Sequence, residues 1–258
     1  MSDTSPPRPA QPFGPKLLPI EQMRLKEEDM LRRRSPDPGP LEQLFYDSDG
    51  RGVTKWTHYL PFYDRVFAPY RALNAERPLR MLEIGVFQGG SLDLWRRYFG
   101  PEAILFGVDI DPACAARVTP PNQVRIGSQD DPAFLASVVG EMGGLDVVLD
   151  DGSHFGRHQR ASFRALWPRL APGGVYLIED LHTSYWGGFE GALRRPGTGI
   201  EMVKELIDDM HGWYHGHHET VAPREELGRI EIVDSITAIY KVGPKLSPGR
   251  WLAGRWEG

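Results

Sequence analysis

Five short strand-like segments, at 79–84, 104–108, 123–126, 145–149 and 175–178, recur along the chain with helix-like stretches between them, among them "GSLDLWRRYFG", "DPAFLASVVGEMG" and "RHQRASFRALWPRLAPGG". Strands separated by helices must return by crossover, and crossovers of this kind are almost always right-handed, so the pattern predicts a mostly parallel sheet with helices on both faces. Two later runs, "GRIEIVDSI" and "TAIYKVG", are too close together for a helix and predict a terminal antiparallel hairpin. The expected fold is therefore α/β, a Rossmann-like, seven-stranded sheet. At 258 residues one well-buried core is expected.

Composition divides the chain around that core. Prolines crowd the start, in "SPPRPAQPFGPKLLP" and "RRRSPDPGP", and such a stretch buries too little surface to offset its ordering entropy. Residues 1–40 are thus expected to be a flexible arm, 41–78 a helical lid, 79–245 the main domain and 246–258 a tail. Within the second segment, "VTKWTHYLPFYDRVFAPYRAL" spaces its aromatic residues by three and four, which suits an amphipathic helix interrupted by Pro61. A net charge of −5 provides no electrostatic reason for a nucleic-acid partner. The single cysteine, Cys114, cannot form an internal disulfide and reads as packing. No run approaches the roughly 20 apolar residues of a membrane span, and no signal-like segment opens the sequence, so a cytoplasmic location is expected.

The chemistry gathers where the runs end. In "MLEIGVFQGGSLDLW" a strand enters a glycine-rich turn and then a helix, a layout that lets backbone approach a ligand closely. Asp109 closes the next strand, where an ionised carboxylate can accept hydrogen bonds from ribose hydroxyls. The spacing is not that of nicotinamide enzymes, and Glu83 would be unwelcome beside a pyrophosphate. S-adenosylmethionine carries a sulfonium and an ammonium and lacks phosphate, so it suits the turn better. The expected cofactor contacts are Glu83, Gly85, Ser91, Asp109, Gln129, Asp130 and Asp150, with Lys55 and Tyr63 reaching in from the lid beside His58 and Tyr59.

"LDVVLDDGSH" and "VYLIEDLH" end in paired acids, Asp150 with Asp151 and Glu179 with Asp180. Ligands of open parallel sheets sit at these strand ends. Four carboxylates there repel one another and need a cation unless some protonate. Oxygen ligands without cysteine indicate a hard divalent ion, and Mg²⁺ fits best. Taken alone, "DDGSH" also reads as a helix cap by Asp151 or Ser153.

The chain resembles the class I S-adenosylmethionine-dependent methyltransferases and, more narrowly, the metal-dependent sugar O-methyltransferases of antibiotic tailoring, together with mycobacterial mannoside relatives. The segments that carry the resemblance are "TKWTHYLPFYDRVF", "LEIGVFQGGSL", "GVDIDP", "DVVLDDGSHFGRHQRASFRALWPRLAPGGVYLIEDLHTSYW" and "VKELIDDMH". It implies Mg²⁺ ligands at Asp151, Glu179 and Asp180, a general base at His154, and transfer of a methyl group to a hydroxyl of a sugar or glycoside. His182, Tyr185 and Trp186 are expected to face that acceptor, and a homodimer is expected. Competing readings are a catechol-type methyltransferase, a cephalosporin-type hydroxylase and a cofactor-binding partner protein without catalysis. "HGWYHGHHE" offers His211 and His215 to a zinc ion, or serves as an acceptor-facing loop.

Overall fold

The computed structural model describes residues 32–251, 253 and 254. The chain divides into two units, Met1–Arg34 and Ser35–Gly258. The expected flexible arm thus falls largely outside the described residues, and all that follows concerns the second unit.

Seven strands form one sheet: β1 (Arg80–Ile84), β2 (Ile104–Asp109), β3 (Gln123–Ile126), β4 (Val147–Asp150), β5 (Val175–Ile178), β6 (Leu227–Val233) and β7 (Ile236–Lys241). Their order is β3-β2-β1-β4-β5-β7-β6, with the first five strands parallel. β7 pairs antiparallel to both β5 and β6, so the predicted hairpin joins the sheet through its second strand. The order steps outward from β1 in two directions, and the β1/β4 junction is the switch point where a ligand crevice forms.

The helices are α1 (Pro40–Tyr46), α2 (Tyr59–Glu76), α3 (Gly90–Phe99), α4 (Pro132–Met142), α5 (Gly156–Leu166), α6 (Gly199–Met210) and the short α7 (Gly212–His215). Side chains alternate across the strands and feed two cores. Val147, Leu149, Val175 and Leu177 join the core under α2 and α3, whereas Val148, Tyr176 and Ile178 join the core under α4, α5 and α6. That alternation continues past the strand ends and decides where the acids go.

α2 buries Tyr59, Leu60, Phe62, Tyr63, Val66, Phe67 and Tyr70, so the segment read as a lid contributes a core helix. Pro61 does not interrupt it. The helix starts at Tyr59, and a proline in the first turn needs no N–H. Asp64 on α2 accepts from the backbone N–H groups of Leu41 and Glu42, capping α1 with a negative charge. Asp131 caps α4, its carboxylate accepting from the N–H groups of Ala133 and Phe134. In the expected tail, Leu246 and Trp251 are exposed. No described helix is long and apolar enough to cross a membrane.

Candidate active site

A cavity of about 490 Å³ opens at the carboxyl ends of β1, β2 and β4, within the range of small-ligand pockets. Its wall includes Gly85, Ser91, Asp109, Gln129, Asp151 and His154, and the segment 52–55 covers one side. Gly85 makes the close approach possible. Its φ is +91°, and a Cβ there would lie 2.1 Å from the carbonyl oxygen of Asp151. Asp109 braces the turn: Oδ2 accepts from the N–H groups of Val86 (2.8 Å) and Phe87 (3.0 Å), and Oδ1 from Asp111 N–H (2.9 Å). Burial pushes its pKa up, but these three backbone donors outweigh that and hold it below the usual range.

Other expected cofactor residues do not line the cavity. Glu83 lies beneath it, fully buried, its carboxylate taken by Ser91 Oγ (2.8 Å) and Trp95 Nε1 (3.0 Å) and raised to about 7 by burial. Asp150 was expected to face the methionine end of the cofactor. Strand alternation sends it to the opposite face, where Ser162 Oγ (2.6 Å), Tyr176 OH (3.0 Å) and Gln129 Nε2 (3.2 Å) donate to it, and burial raises its pKa. Asp130 is turned to Ser128 and His158 at the surface. Tyr63 is buried, with its hydroxyl donating to Glu179.

The acids of β4 and β5 meet. Asp151, one residue past Asp150, turns back to the cavity side. Glu179 follows the alternation toward α2 and is held there by Lys55 Nζ at 2.7 Å and by Tyr63. Burial, followed by the neighbouring Asp151, pushes the Glu179 carboxyl well above its usual range despite Lys55. Asp180 escapes the alternation because its backbone is left-handed, φ +54°. Its Oδ1 accepts from Tyr59 OH (2.9 Å) and Trp56 Nε1 (3.1 Å). His154 also adopts a positive φ, +60°, which is uncommon outside glycine and concentrates at functional sites.

Each of two carboxylates therefore has one oxygen held by the protein and one left open. Asp151 Oδ2 is taken by Lys55 Nζ at 2.5 Å. The open oxygens, Asp151 Oδ1 and Asp180 Oδ2, stand 3.8 and 3.7 Å from His154 Nε2. The ligand atoms of Asp151, His154 and Asp180 fall within 4.8 Å of one another, the arrangement a divalent cation could occupy; Glu179 stays outside this group. Nδ1 of His154 is buried without a hydrogen-bond partner. The cap alternative for "DDGSH" does not apply, since α5 begins behind Phe155 with no side-chain cap.

Aromatic rings extend from this cluster. Trp56 meets His182 edge-on at 5.5 Å, His182 meets Trp186 at 4.5 Å, and Phe189 lies 6.2 Å from both Trp186 and His154. His182 Nδ1 is paired with Ser235, and burial depresses its pKa. Tyr185 is about half exposed. Sequence reading missed the role of Trp56 because it counted the ring as part of the helix face, whereas the helix starts three residues later. The histidines of "HGWYHGHHE" are not gathered for zinc: His211 Nδ1 and His215 Nε2 donate to the carbonyls of Ile207 and Asp208 and close the end of α6.

Residues 82–181 match the methyltransferase domain family. Among curated proteins, the L-olivosyl-oleandolide 3-O-methyltransferase of Streptomyces antibioticus is 40% identical over 197 residues, covering 70% of this chain and 48% of that enzyme. The 8-demethyl-8-(2-methoxy-alpha-L-rhamnosyl)-tetracenomycin-C 3'-O-methyltransferase of Streptomyces olivaceus is 40% identical over 215 residues, 78% of this chain and 52% of that enzyme. Among solved structures, the MycE methyltransferase of the mycinamycin pathway, in complex with Mg and SAH, superposes with a TM-score of 0.68 at 30% identity, over 87% of this chain and 58% of that one. The chain spans about half the length of the curated relatives it matches. Sheet order, glycine-rich turn and these matches agree: residues 82–181 carry a methyltransferase domain, and the chain is similar to sugar O-methyltransferases of antibiotic pathways.

Proposed function

We propose that the protein is a Mg²⁺-dependent O-methyltransferase that moves a methyl group from S-adenosylmethionine to a hydroxyl of a sugar or glycoside. The observation that carries this reading is the pair of open carboxylate oxygens on Asp151 and Asp180 facing His154 Nε2 at the rim of the cavity.

S-adenosylmethionine supplies the methyl as an electrophile on a positively charged sulfur. Mg²⁺ supplies charge that lowers the proton affinity of an acceptor hydroxyl. The remaining work belongs to the chain. Asp151 and Asp180 are placed to hold the ion through their open oxygens, and Glu179, bridged to Asp151 by Lys55, stands behind them. His154 takes the hydroxyl proton at Nε2, the ring nitrogen that faces the open oxygens of Asp151 and Asp180. Gly85, Ser91 and Asp109 shape the cofactor cavity, and Gln129 closes its floor. Trp56, His182 and Trp186 form a row of rings against which the apolar face of a sugar packs, with Tyr185 half-exposed beside them in sequence.

A methyl-transfer assay with labelled S-adenosylmethionine, run over deoxysugar glycosides, oligosaccharides and a catechol, with and without EDTA, tests the proposal. Labelled glycoside that disappears on chelation and returns with Mg²⁺ is expected. Transfer only to the catechol would reassign the acceptor, and transfer that survives complete chelation would remove the metal.

A further inference from the structure

Two residues of the site hold backbone conformations that side chains rarely adopt, and one hydroxyl meets both. His154, with φ +60°, follows β4, and Asp180, with φ +54°, follows β5. Such a backbone has left the strand ladder, so a buried carbonyl there needs a donor from elsewhere. Thr183 Oγ1 lies 2.6 Å from the Asp180 carbonyl oxygen and 3.3 Å from the His154 carbonyl oxygen, and Thr183 is 2% exposed. The two acceptors are not equivalent. Asp180 also receives the Thr183 N–H at 3.0 Å, whereas among the described residues the Thr183 hydroxyl is the one hydrogen-bond donor to the His154 carbonyl. A threonine hydroxyl bonded to the carbonyl three residues back is a common local device. Reaching a carbonyl 29 residues back, across the gap between two strand ends, is not local. Thr183 is itself fixed within the 3₁₀ turn Leu181–Tyr185. Leu181 N–H donates to the Ser235 carbonyl (2.8 Å), Ser184 Oγ accepts from Ile200 N–H in the first turn of α6 (3.1 Å), and a Cβ on Gly191 would lie 2.6 Å from the Thr183 carbonyl oxygen.

We infer that Thr183 is a positioning residue for His154: its buried hydroxyl ties the turn after β4 to the turn after β5 and keeps Nε2 of His154 facing Asp180 Oδ2. The catalytic consequence rests on the base assigned to His154 above. A histidine ring is usually aimed by a hydrogen bond at its second nitrogen. Here Nδ1 is buried without a partner, so nothing of that kind fixes the imidazole. Its ring meets Phe189 edge-on at 6.2 Å, a contact that limits the space but sets direction weakly. The direction of the ring therefore follows from the main chain that carries it, and the hydroxyl of Thr183 restrains that main chain from the neighbouring strand end. Strained backbone persists only where its surroundings over-determine it. One hydroxyl proton serves both oxygens, as a three-centre bond allows, and loss of the hydroxyl falls mainly on His154, because Asp180 keeps the Thr183 N–H. Asp180 is also held through Tyr59, whose hydroxyl donates to its Oδ1 and accepts from its N–H (3.3 Å).

The test compares the full chain with Thr183→Val, which removes the hydroxyl and keeps the shape, Thr183→Ser, which keeps the hydroxyl, and Thr183→Ala, which differs from the serine variant by the hydroxyl alone. Amide hydrogen exchange followed by mass spectrometry reads the tie. Steady-state methyl transfer to whichever glycoside the wild type methylates in the assay above reads its consequence. Peptides covering residues 151–156 are expected to exchange about 10-fold faster in Thr183→Val and Thr183→Ala, and within about twofold of wild type in Thr183→Ser, with β1 peptides unchanged throughout. In the same two variants kcat should fall about 10- to 100-fold while KM for S-adenosylmethionine stays within about twofold, and Thr183→Ser should recover kcat to within about threefold of wild type. Should Thr183→Val fail to fold, the serine and alanine variants decide. Equal exchange and equal kcat in those two, or faster exchange spread over the whole sheet, overturns the inference. A tie that loosens without loss of kcat overturns the positioning role and leaves His154 as the base. A wild type that methylates no acceptor overturns the base assignment and the positioning role with it, and the exchange pattern shows separately whether the tie exists.

Discussion

Nε2 of His154 stands 3.7 Å from Oδ2 of Asp180, facing it without a hydrogen bond, although the two residues come from the ends of different strands. The separation is too long for a direct contact and short enough for a shared ion or a substrate hydroxyl to lie between them. What holds the pair apart is that each is tied elsewhere: Asp180 Oδ1 to Tyr59 and Trp56, and the His154 carbonyl to the Thr183 hydroxyl.

Asp151→Asn and Asp180→Asn should each lower methyl transfer by more than about 10-fold, a minimum taken from the cost of losing even an outer partner of a metal site. Initial rates against Mg²⁺ concentration check this, with the apparent metal requirement shifting to higher concentration. A variant that keeps the wild-type Mg²⁺ dependence would take that carboxylate out of the ion's reach.

His154→Ala is expected to reduce kcat by about 100- to 10,000-fold, the usual span for removal of a general base. Mn²⁺ binding measured in parallel separates two roles. Affinity near that of wild type assigns His154 to proton removal; lost affinity makes it a ligand.

Asp109 is held below the usual carboxylate range against the pull of burial, by three backbone donors. A depressed folded pKa means stability that is present above the unfolded value of about 3.9 and lost as pH falls through the folded value. Asp109→Asn should therefore cost about 1 kcal/mol at pH 7, a figure kept low because the carboxylate is partly exposed. The difference should close at a pH low enough to protonate the carboxylate in both states, below the usual carboxylate range. Urea unfolding of both proteins at the two pH values reads it, and an unchanged gap at low pH would mean that the loss is steric.

Gly85→Ala places a methyl 2.1 Å from the Asp151 carbonyl oxygen in a left-handed conformation. A loss of about 2 kcal/mol or more is expected in denaturant unfolding, combining backbone strain with overpacking. Because the clash is with Asp151 itself, Mg²⁺ dependence should weaken too. A variant of native stability would show that β1 and β4 can part at this point without cost.

Much of the fold could be read directly. The apolar runs at 104–108 and 175–178 lie on β2 and β5, because a buried parallel strand needs a short continuous apolar run, whereas β3 at 123–126 alternates polar and apolar residues and lies at the sheet edge. β4 spans Val147–Asp150, and Asp146 just before it bonds through its backbone to Arg80 and Val175 while its side chain pairs with Arg77 at 2.7 Å. The insertion of β7 between β5 and β6 was not legible, because hairpin residues carry no record of which strand meets the sheet.

The sequence by itself determined that acids gather at the ends of β4 and β5, since the period of two and the strand order bring those ends to one edge whatever the details. It could not decide which way each acid points. That was settled by the tertiary structure, through one backbone sign at Asp180, one step of alternation that buries Asp150, and a lysine supplied from the far side of the cavity. Side-chain direction past a strand end depends on a single φ and on whichever partner is in reach, and neither is written in local spacing.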